Sequence, residues 1–372
     1  NSNFMMILAA SVIIILVLLL FGFELLRISF FWENHENPSI SWPTVSVLIA
    51  ARNEVKFLPR LLASLEQLEY PNEKIEFLII DDASEDQTGE IISAWCKGHV
   101  NRKGFNSLRD GVGFQGNNGK AASLATLCKE AIGDFLFFTD ADCQVNSQWI
   151  KAGVSSFNPK IGIVIGITKV ESNSILGKFQ ELEWWNTLGQ VKIAADLGLQ
   201  TTGLGNNMVI RKTTYDQSGG FEQTAKSLTE DLEISRLIHQ TGYKLAHQIS
   251  SQILAFTKAE LDLNALLNQR KRWFSGVLTL PISLLILLNL QFLYVPALLF
   301  IAFHFPLLGI LLFTLKLCLH GSIIRVLLFR TAQKVNWIFF LFFDFYTFLI
   351  NALTILYYFY PDKISWKSRR YP

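Results

Sequence analysis

The chain has 372 residues, with Lys+Arg 33 against Asp+Glu 31 and a formal net charge of +2, a balance that argues against a nucleic-acid binder. Hydrophobic residues make up 50% and 30 residues are Phe, which points to segments in lipid. Cys96, Cys128, Cys143 and Cys318 form no C-x-x-C pair, so neither a zinc ribbon nor a disulfide scaffold is expected.

Residues 4–23 are apolar apart from Ser11 and Gly22. A run of ~20 apolar residues is long enough to cross a bilayer as a helix. It reads as an uncleaved anchor, because a signal peptide would have a shorter apolar region and a small-residue cleavage site.

Residues 43–258 have the pattern of a soluble domain. Short apolar runs at 45–50, 77–80, 135–138 and 161–167 alternate with helical patterns at 54–68, 86–97 and 120–131. Strands apolar on both faces, alternating with helices, predict an α/β fold with a mainly parallel sheet. Such sheets bind ligands at the carboxyl ends of their strands. Arg52-Asn53-Glu54, Asp81-Asp82 and Asp140-Ala141-Asp142 all fall at such ends. Any one of these clusters can be explained as a helix cap. Three at one edge predict a binding site.

Asp140 and Asp142, with one residue between them, suit a divalent cation, Mg²⁺ or Mn²⁺, that completes its shell with substrate phosphates. Asp82 suits a nucleotide base or ribose, while Ser84, Asp86 and Thr88 read as turn and helix-start residues. The stretch 98–118, with Arg102, Lys103 and Arg109, reads as a mobile loop beside a nucleotide or as solvated surface. Lys120 opens a helix, where it is a phosphate neighbour or a solvated lysine.

Ser227 and Glu230 fit a capping box at the start of a helix that stops near Gly242. Asp231, in the first turn, is favoured by the helix dipole and is placed to act as a general base.

Residues 259–276 read as an amphipathic segment at the membrane surface. Gln269, Arg272 and Trp273 share one helical face, while Arg270 and Lys271 point elsewhere, towards lipid headgroups. An interfacial belt explains those two cations but does not call for Gln269. Residues 277–360 form the C-terminal membrane region, with expected spans at 277–293, 294–317 and 335–360 and an interfacial helix at 320–334. Arg27 places the soluble domain in the cytoplasm. The basic tail, with Lys363, Lys367, Arg369 and Arg370, then requires an even number of C-terminal crossings to reach the same side.

Taken together, Ala51-Arg52-Asn53-Glu54, Asp81-Asp82, Gly119-Lys120, Asp140-Ala141-Asp142, Thr229-Glu230-Asp231 and Gln269-x-x-Arg272-Trp273 form an ordered set. In this the chain resembles the membrane-bound family 2 glycosyltransferases, the branch of cellulose, hyaluronan and poly-N-acetylglucosamine synthases and ceramide glucosyltransferases. The resemblance implies a GT-A fold flanked by transmembrane helices, and inverting transfer from a nucleotide sugar, usually a UDP-sugar. It implies that Asn53, Glu54 and Asp82 hold the nucleoside, Asp140 lies by the sugar nucleotide, and Asp142 binds the metal. It further implies Asp231 as base, Arg272 on the diphosphate, and Trp273 and Gln269 on the acceptor side. The loop from Gly203 to Met208 looks like the acceptor side too, with Asn206 and Asn207 as sugar contacts. The short membrane region favours a lipid or membrane-associated acceptor, whereas Gln-x-x-Arg-Trp is typical of processive polymer synthases. The expected location is the bacterial inner membrane.

Two rival classes are a non-catalytic membrane protein and a nucleotidyltransferase. The first would use intramembrane charges such as Lys316 and Asp344 for transport. The second would release pyrophosphate rather than UDP.

Overall fold

The computed structural model describes residues 2–33, 35, 42–107, 118–224, 227–360, 364–366 and 369–371. Of the stretch 98–118 read as a loop, residues 102–106, with Arg102 and Lys103, instead form a strand that pairs with residues 77–81, and Arg109 and the rest of 108–117 lie outside the described residues.

In chain order, α1 (Ser2–Phe30) precedes β1 (Val45–Ala51), α2 (Leu58–Leu65), β2 (Ile75–Asp81), α3 (Thr88–Cys96) and β3 (Arg102–Asn106). Then come α4 (Gly119–Glu130), β4 (Phe135–Phe138), β5 (Gln144–Val145), α5 (Trp149–Ser155), β6 (Ile161–Ile165) and β7 (Thr168–Glu171). Helix α6 (Ile175–Asp196) leads to β8 (Met208–Arg211), α7 (Lys212–Ser218), α8 (Glu230–Gln240), β9 (Lys244–His247) and β10 (Ala255–Lys258). Helices α9 (Leu263–Val277), α10 (Ile282–His304), α11 (Pro306–Arg330), α12 (Trp337–Phe340) and α13 (Phe343–Phe359) precede a hairpin of β11 (Ile364–Trp366) and β12 (Arg369–Tyr371).

The chain divides into two compact units. One is the α/β unit, Asn34–Glu171 with Ala194–Ala259 and Lys363–Pro372. The other is helical, Asn1–Glu33 with Ser172–Ile193 and Glu260–Asp362. Residues 172–193, which fall inside the expected 43–258 domain, thus pack with the helical unit.

The α/β unit is built on a seven-stranded sheet of order β3-β2-β1-β4-β8-β6-β9. β1 pairs parallel with β2, from Val45 against Ile75 to Ala51 against Asp81, and parallel with β4 on its other side. That register sets the carboxyl ends of β1, β2 and β4 side by side. Every residue of β2 is buried, as in a strand covered on both faces. Its polar member Glu76 accepts from Ser46 Oγ at 2.6 Å and from the Ile132 N–H at 2.8 Å, so its burial is compensated. Val47, Ile49, Phe137 and Val209 pack with Trp149, whose ring meets Phe137 edge-on at 5.0 Å.

The sheet is mixed rather than mainly parallel, because β8 runs antiparallel to both β4 and β6. Parallel neighbours require a crossover that packs on the sheet. The long helix between β7 and β8 lies almost wholly in the other unit, so no such crossover forms there. A second sheet, β5-β10-β7, pairs β10 antiparallel with β5 and parallel with β7.

In the helical unit, Asn3–Phe30, Ile282–His304 and Pro306–Arg330 are long and apolar enough to cross a membrane, and Phe343–Phe359 is a shorter apolar helix. These helices mark a membrane protein. The expected boundary at residue 293 is not found. α10 runs on through Pro296, and the break falls at Phe305, where φ is −138° and ψ 76°. Pro306 causes it by excluding the helical region for the residue before it. The expected interfacial helix at 320–334 is instead the last part of α11 as far as Arg330. Its polar residues are accommodated inside the unit. Lys316 pairs with Asp344 and lies 3.0 Å from His320 Nδ1, and His320 Nε2 lies 2.8 Å from Asn186 Oδ1. Charges within a span are tolerated when paired in this way.

Candidate active site

The residues after β1 are fixed by the turn after β2. Arg52 is buried and donates through Nη1 to the carbonyls of Asp82 and Ala83 at 2.7 and 2.6 Å. Asn53 N–H donates to Ser84 Oγ at 3.0 Å, and Asn53 Oδ1 accepts from the Glu85 N–H at 2.9 Å. Glu54 N–H donates to Thr88 Oγ1 at 2.8 Å. Ser84, Asp86 and Thr88 thus hold the Arg-Asn-Glu turn as well as their own. Asn53 and Ala83 both have positive φ, 53° and 56°. Such backbone strain costs on the order of 1–3 kcal/mol for a non-glycine residue and concentrates at functional sites. Here it falls at the ends of two adjacent strands. Asp82 and Glu54 are both buried there.

The end of β4 carries two carboxylates, each facing a lysine. Lys120 Nζ lies 2.6 Å from Asp140 Oδ1 and 3.2 Å from Glu230 Oε1. Burial opposes the charge on Lys120, but Asp140, Glu230 and Asp231 more than offset it and raise its pKa well above the usual lysine range. The reading of Lys120 as a solvated lysine therefore gives way to an internal cation. Lys258 Nζ lies 3.3 Å from Asp142 Oδ2 and 3.8 Å from Glu54 Oε2. Cys143, next in sequence, stays a thiol, because burial and then the charges of Asp142 and Asp140 push its pKa well up.

Glu230 does not form the expected capping box. Helix α8 begins at Glu230 itself, after Thr229. Ser227 Oγ accepts from the Thr229 N–H at 3.2 Å, and the buried Glu230 carboxylate is engaged by Lys120 and by Asn118 Nδ2 at 2.9 Å. Asn118 Oδ1 in turn caps α4 by accepting from the Ala121 N–H at 3.2 Å.

Asp231 meets the loop from Gly203 to Asn207. Its Oδ2 accepts from the Gly205 N–H at 3.2 Å, and its Oδ1 accepts from the Leu232 N–H at 2.9 Å. Glycine is needed at Gly203 for this approach, and the loop also runs close at Gly205. A Cβ on Gly203 would lie 2.6 Å from the Asp231 carbonyl oxygen, and one on Gly205 would lie 3.3 Å from Lys120 Nζ and 3.6 Å from Asp231 Oδ2. Lys120, Asp140, Glu230, Gly205 and Asp231 therefore form one continuous cluster.

Asn207 does not present its amide as the sugar-contact reading requires, and the Asn206 amide oxygen is used within the protein. Asn207 is fully buried, and its amide is used three times within the protein. It accepts from Trp149 Nε1 at 2.9 Å and donates to the carbonyls of Ile167 and Ile253 at 2.9 and 2.8 Å. Asn206 is buried too. Its Oδ1 accepts from Thr168 Oγ1 at 3.2 Å and its carbonyl from Thr139 Oγ1 at 3.1 Å, so it ties the loop to the end of β4.

Gln269, Arg272 and Trp273 lie on α9 in the helical unit. Gln269 Nε2 donates to Glu260 Oε1 at 2.7 Å. The Trp273 ring meets Trp184 edge-on at 6.0 Å, and the Arg270 guanidinium lies 4.4 Å from its centroid. Arg270 and Lys271 are buried rather than turned to headgroups. Arg270 pairs with Glu183 at 2.7 Å, and Lys271 Nζ donates to the Tyr360 carbonyl at 3.0 Å. Partners inside the unit compensate the cost of burying each cation.

The mixed sheet, with acidic clusters along one edge, is that of the GT-A nucleotide-sugar transferases. The mannosyltransferase PcManGT from Pyrobaculum calidifontis, solved with GDP-Man and Mn²⁺, shares the fold with a TM-score of 0.58 at 15% identity, over 94% of this chain and 91% of that one. The sequence profile of glycosyl transferase family 21 matches residues 11–372, and the chain belongs to that family. It is similar to the poly-β-1,6-N-acetyl-D-glucosamine synthase of Staphylococcus epidermidis, 28% identical over 235 residues, which are 62% of this chain and 54% of that one. The synthase of Staphylococcus aureus strain COL matches with the same identity and coverage. The chain spans about half the length of these curated relatives. These matches bear out the resemblance to membrane-bound glycosyltransferases.

Proposed function

We propose that the chain is an inverting glycosyltransferase that moves a hexosyl or N-acetylhexosaminyl group from a nucleotide sugar to a lipid or other membrane-associated acceptor. The observation that carries this reading is the cluster of Lys120, Asp140, Glu230 and Asp231, which joins the end of β4 to the first turn of α8. Asn53, Glu54 and Asp82 line the adjacent strand ends and are assigned to the nucleoside. Asp140 and Asp142 are assigned to Mg²⁺ or Mn²⁺ on the diphosphate. The donor set fits such an ion: both side chains offer hard oxygens, and each already faces an ammonium standing where positive charge is favoured. When bound, the ion supplies charge stabilisation for the leaving diphosphate.

The reaction is one in-line displacement. The acceptor oxygen bonds to the anomeric carbon as the bond from that carbon to the diphosphate oxygen breaks. The acceptor proton passes to the Asp231 carboxylate, which the Gly205 and Leu232 amides orient. Arg272 is assigned to the diphosphate, and Trp273 and Gln269 to the acceptor side.

Arg27, at the end of α1, supports a cytoplasmic α/β unit, in a bacterial inner membrane on this reading. α10 and α11, crossing as a pair while α13 stays at the surface, would return the basic tail to the same side.

The similarity to poly-N-acetylglucosamine synthases favours a second reading, processive synthesis of a polysaccharide. The two are separated by incubating membranes that contain the chain with Mn²⁺ and a panel of radiolabelled UDP-sugars, then partitioning the product. We expect label in the organic phase. Label confined to water-soluble, high-mass material would transfer the conclusion to the second reading.

A further inference from the structure

We propose that Lys258 is a displaceable internal cation that competes with a divalent ion for Asp142, one of the two carboxylates assigned to the metal. The inference rests on the reading of Asp142 as a metal ligand. Lys258 lies outside every motif of the sequence. β10 pairs antiparallel with β5, Ala255 against Val145 and Phe256 against Gln144, and Lys258, two residues further along β10, reaches the Asp142 carboxylate. Its ammonium is 3.3 Å from Asp142 Oδ2 and 3.8 Å from Glu54 Oε2. Two carboxylates that share one ammonium repel one another, and one of them, Glu54, is 1% exposed. A cation between them offsets that repulsion.

The two lysines of the site differ in how firmly they are held. Lys120 is 11% exposed and answers to Asp140, Glu230 and Asp231. Lys258 is 31% exposed, and its Nζ rests 4.0 Å from the centroid of the Phe57 ring. A half-solvated ammonium is released at low cost, and the ring keeps it nearby after release. Lys120 therefore stays when metal enters, and Lys258 yields its place on Asp142. The arrangement keeps the acidic edge charge-balanced in the absence of donor, and it makes the ion compete with a tethered lysine for Asp142.

Binding of Mn²⁺ to the purified full chain, followed by electron paramagnetic resonance of the free ion, tests this directly. With the competing ammonium removed, Lys258→Met should bind Mn²⁺ roughly fivefold more tightly, the scale of a partly exposed ion pair. Lys258→Arg keeps a cation whose fork grips carboxylates more firmly, so it should bind Mn²⁺ more weakly than wild type. In chelator, Lys258→Met should melt below wild type, and saturating Mn²⁺ should narrow that gap. Should Asp142→Asn lose Mn²⁺ while Lys258→Met binds it no more tightly than wild type, the competition is refuted and the metal site stands. Should Asp142→Asn bind Mn²⁺ as wild type does, the metal assignment fails and the inference falls with it. If Lys258→Met does not fold, tighter binding by Lys258→Arg is the overturning result.

Discussion

Asp231→Asn is expected to lower the rate of sugar transfer by about 10²–10⁴-fold, the usual contribution of a general base. Donor affinity should stay within about threefold of wild type, because the residues assigned to the nucleoside, Asn53, Glu54 and Asp82, are untouched. The substitution keeps shape and, with its oxygen turned to the Gly205 N–H, keeps the hydrogen bond to the loop while giving up the one from the Leu232 N–H. A kcat collapse with donor binding preserved, read by single-turnover kinetics beside calorimetry, is the expected pattern. Loss of donor binding in parallel would make Asp231 a donor contact instead of the base.

Lys120→Met is expected to act on both stability and activity. The wild-type ammonium sits among Asp140, Glu230 and Asp231. Glu230 is 3% exposed, so removing the cation takes an ion-pair partner from a buried carboxylate. Breaking a buried ion pair from one side costs about 3–5 kcal/mol, and thermal melting should register that loss. Transfer should fall as well, because Asp140 loses its 2.6 Å partner. The pH dependence has a definite sign. The Lys120 pKa is raised on folding, so its contribution to stability is fully present below the ordinary lysine pKa of about 10.4 and is lost only as pH climbs through the higher folded value. Between about pH 6 and 9 the wild type should therefore show no stability change from this group. The stability gap to Lys120→Met should stay flat across that window and narrow only in strong alkali. A gap that closes near neutrality would contradict the assignment of Lys120 as the internal cation.

Strands β1, β2, β4 and β6 were legible because each is an apolar run, and the clusters at 52–54, 81–82 and 140–142 mark the carboxyl ends of the first three, whereas β3, Arg-Lys-Gly-Phe-Asn, carries no such run and falls in the stretch read as a loop. The antiparallel direction of β8 was not legible, since strand direction depends on connections and four residues of Met-Val-Ile-Arg carry no sign of it. Glu230 was misread because Ser-x-x-Glu satisfies a local capping rule. Its true partners, Lys120 and Asn118, are more than a hundred residues away in sequence. Lys258 could not be found from sequence, as its approach to Asp142 depends on the placing of β10 between β5 and β7. Asn207 failed in the opposite direction: an amide beside a glycine-rich loop resembles a sugar contact, yet the side chain is fully buried with both its N–H donors and its oxygen engaged inside the protein. In the helical unit, composition alone marked the lipid-facing stretches. It did not place their ends, because the break depends on a single proline at 306.

A single displacement with Asp231 as base inverts the anomeric carbon, so the anomeric configuration of the product is its most direct test. An α-linked UDP-sugar donor that yields incorporation would be used, and the newly formed linkage read from its anomeric proton coupling by NMR. The account predicts a β-linkage, with incorporation lost in Asp231→Asn. An α-linkage would require retention and contradict the single displacement.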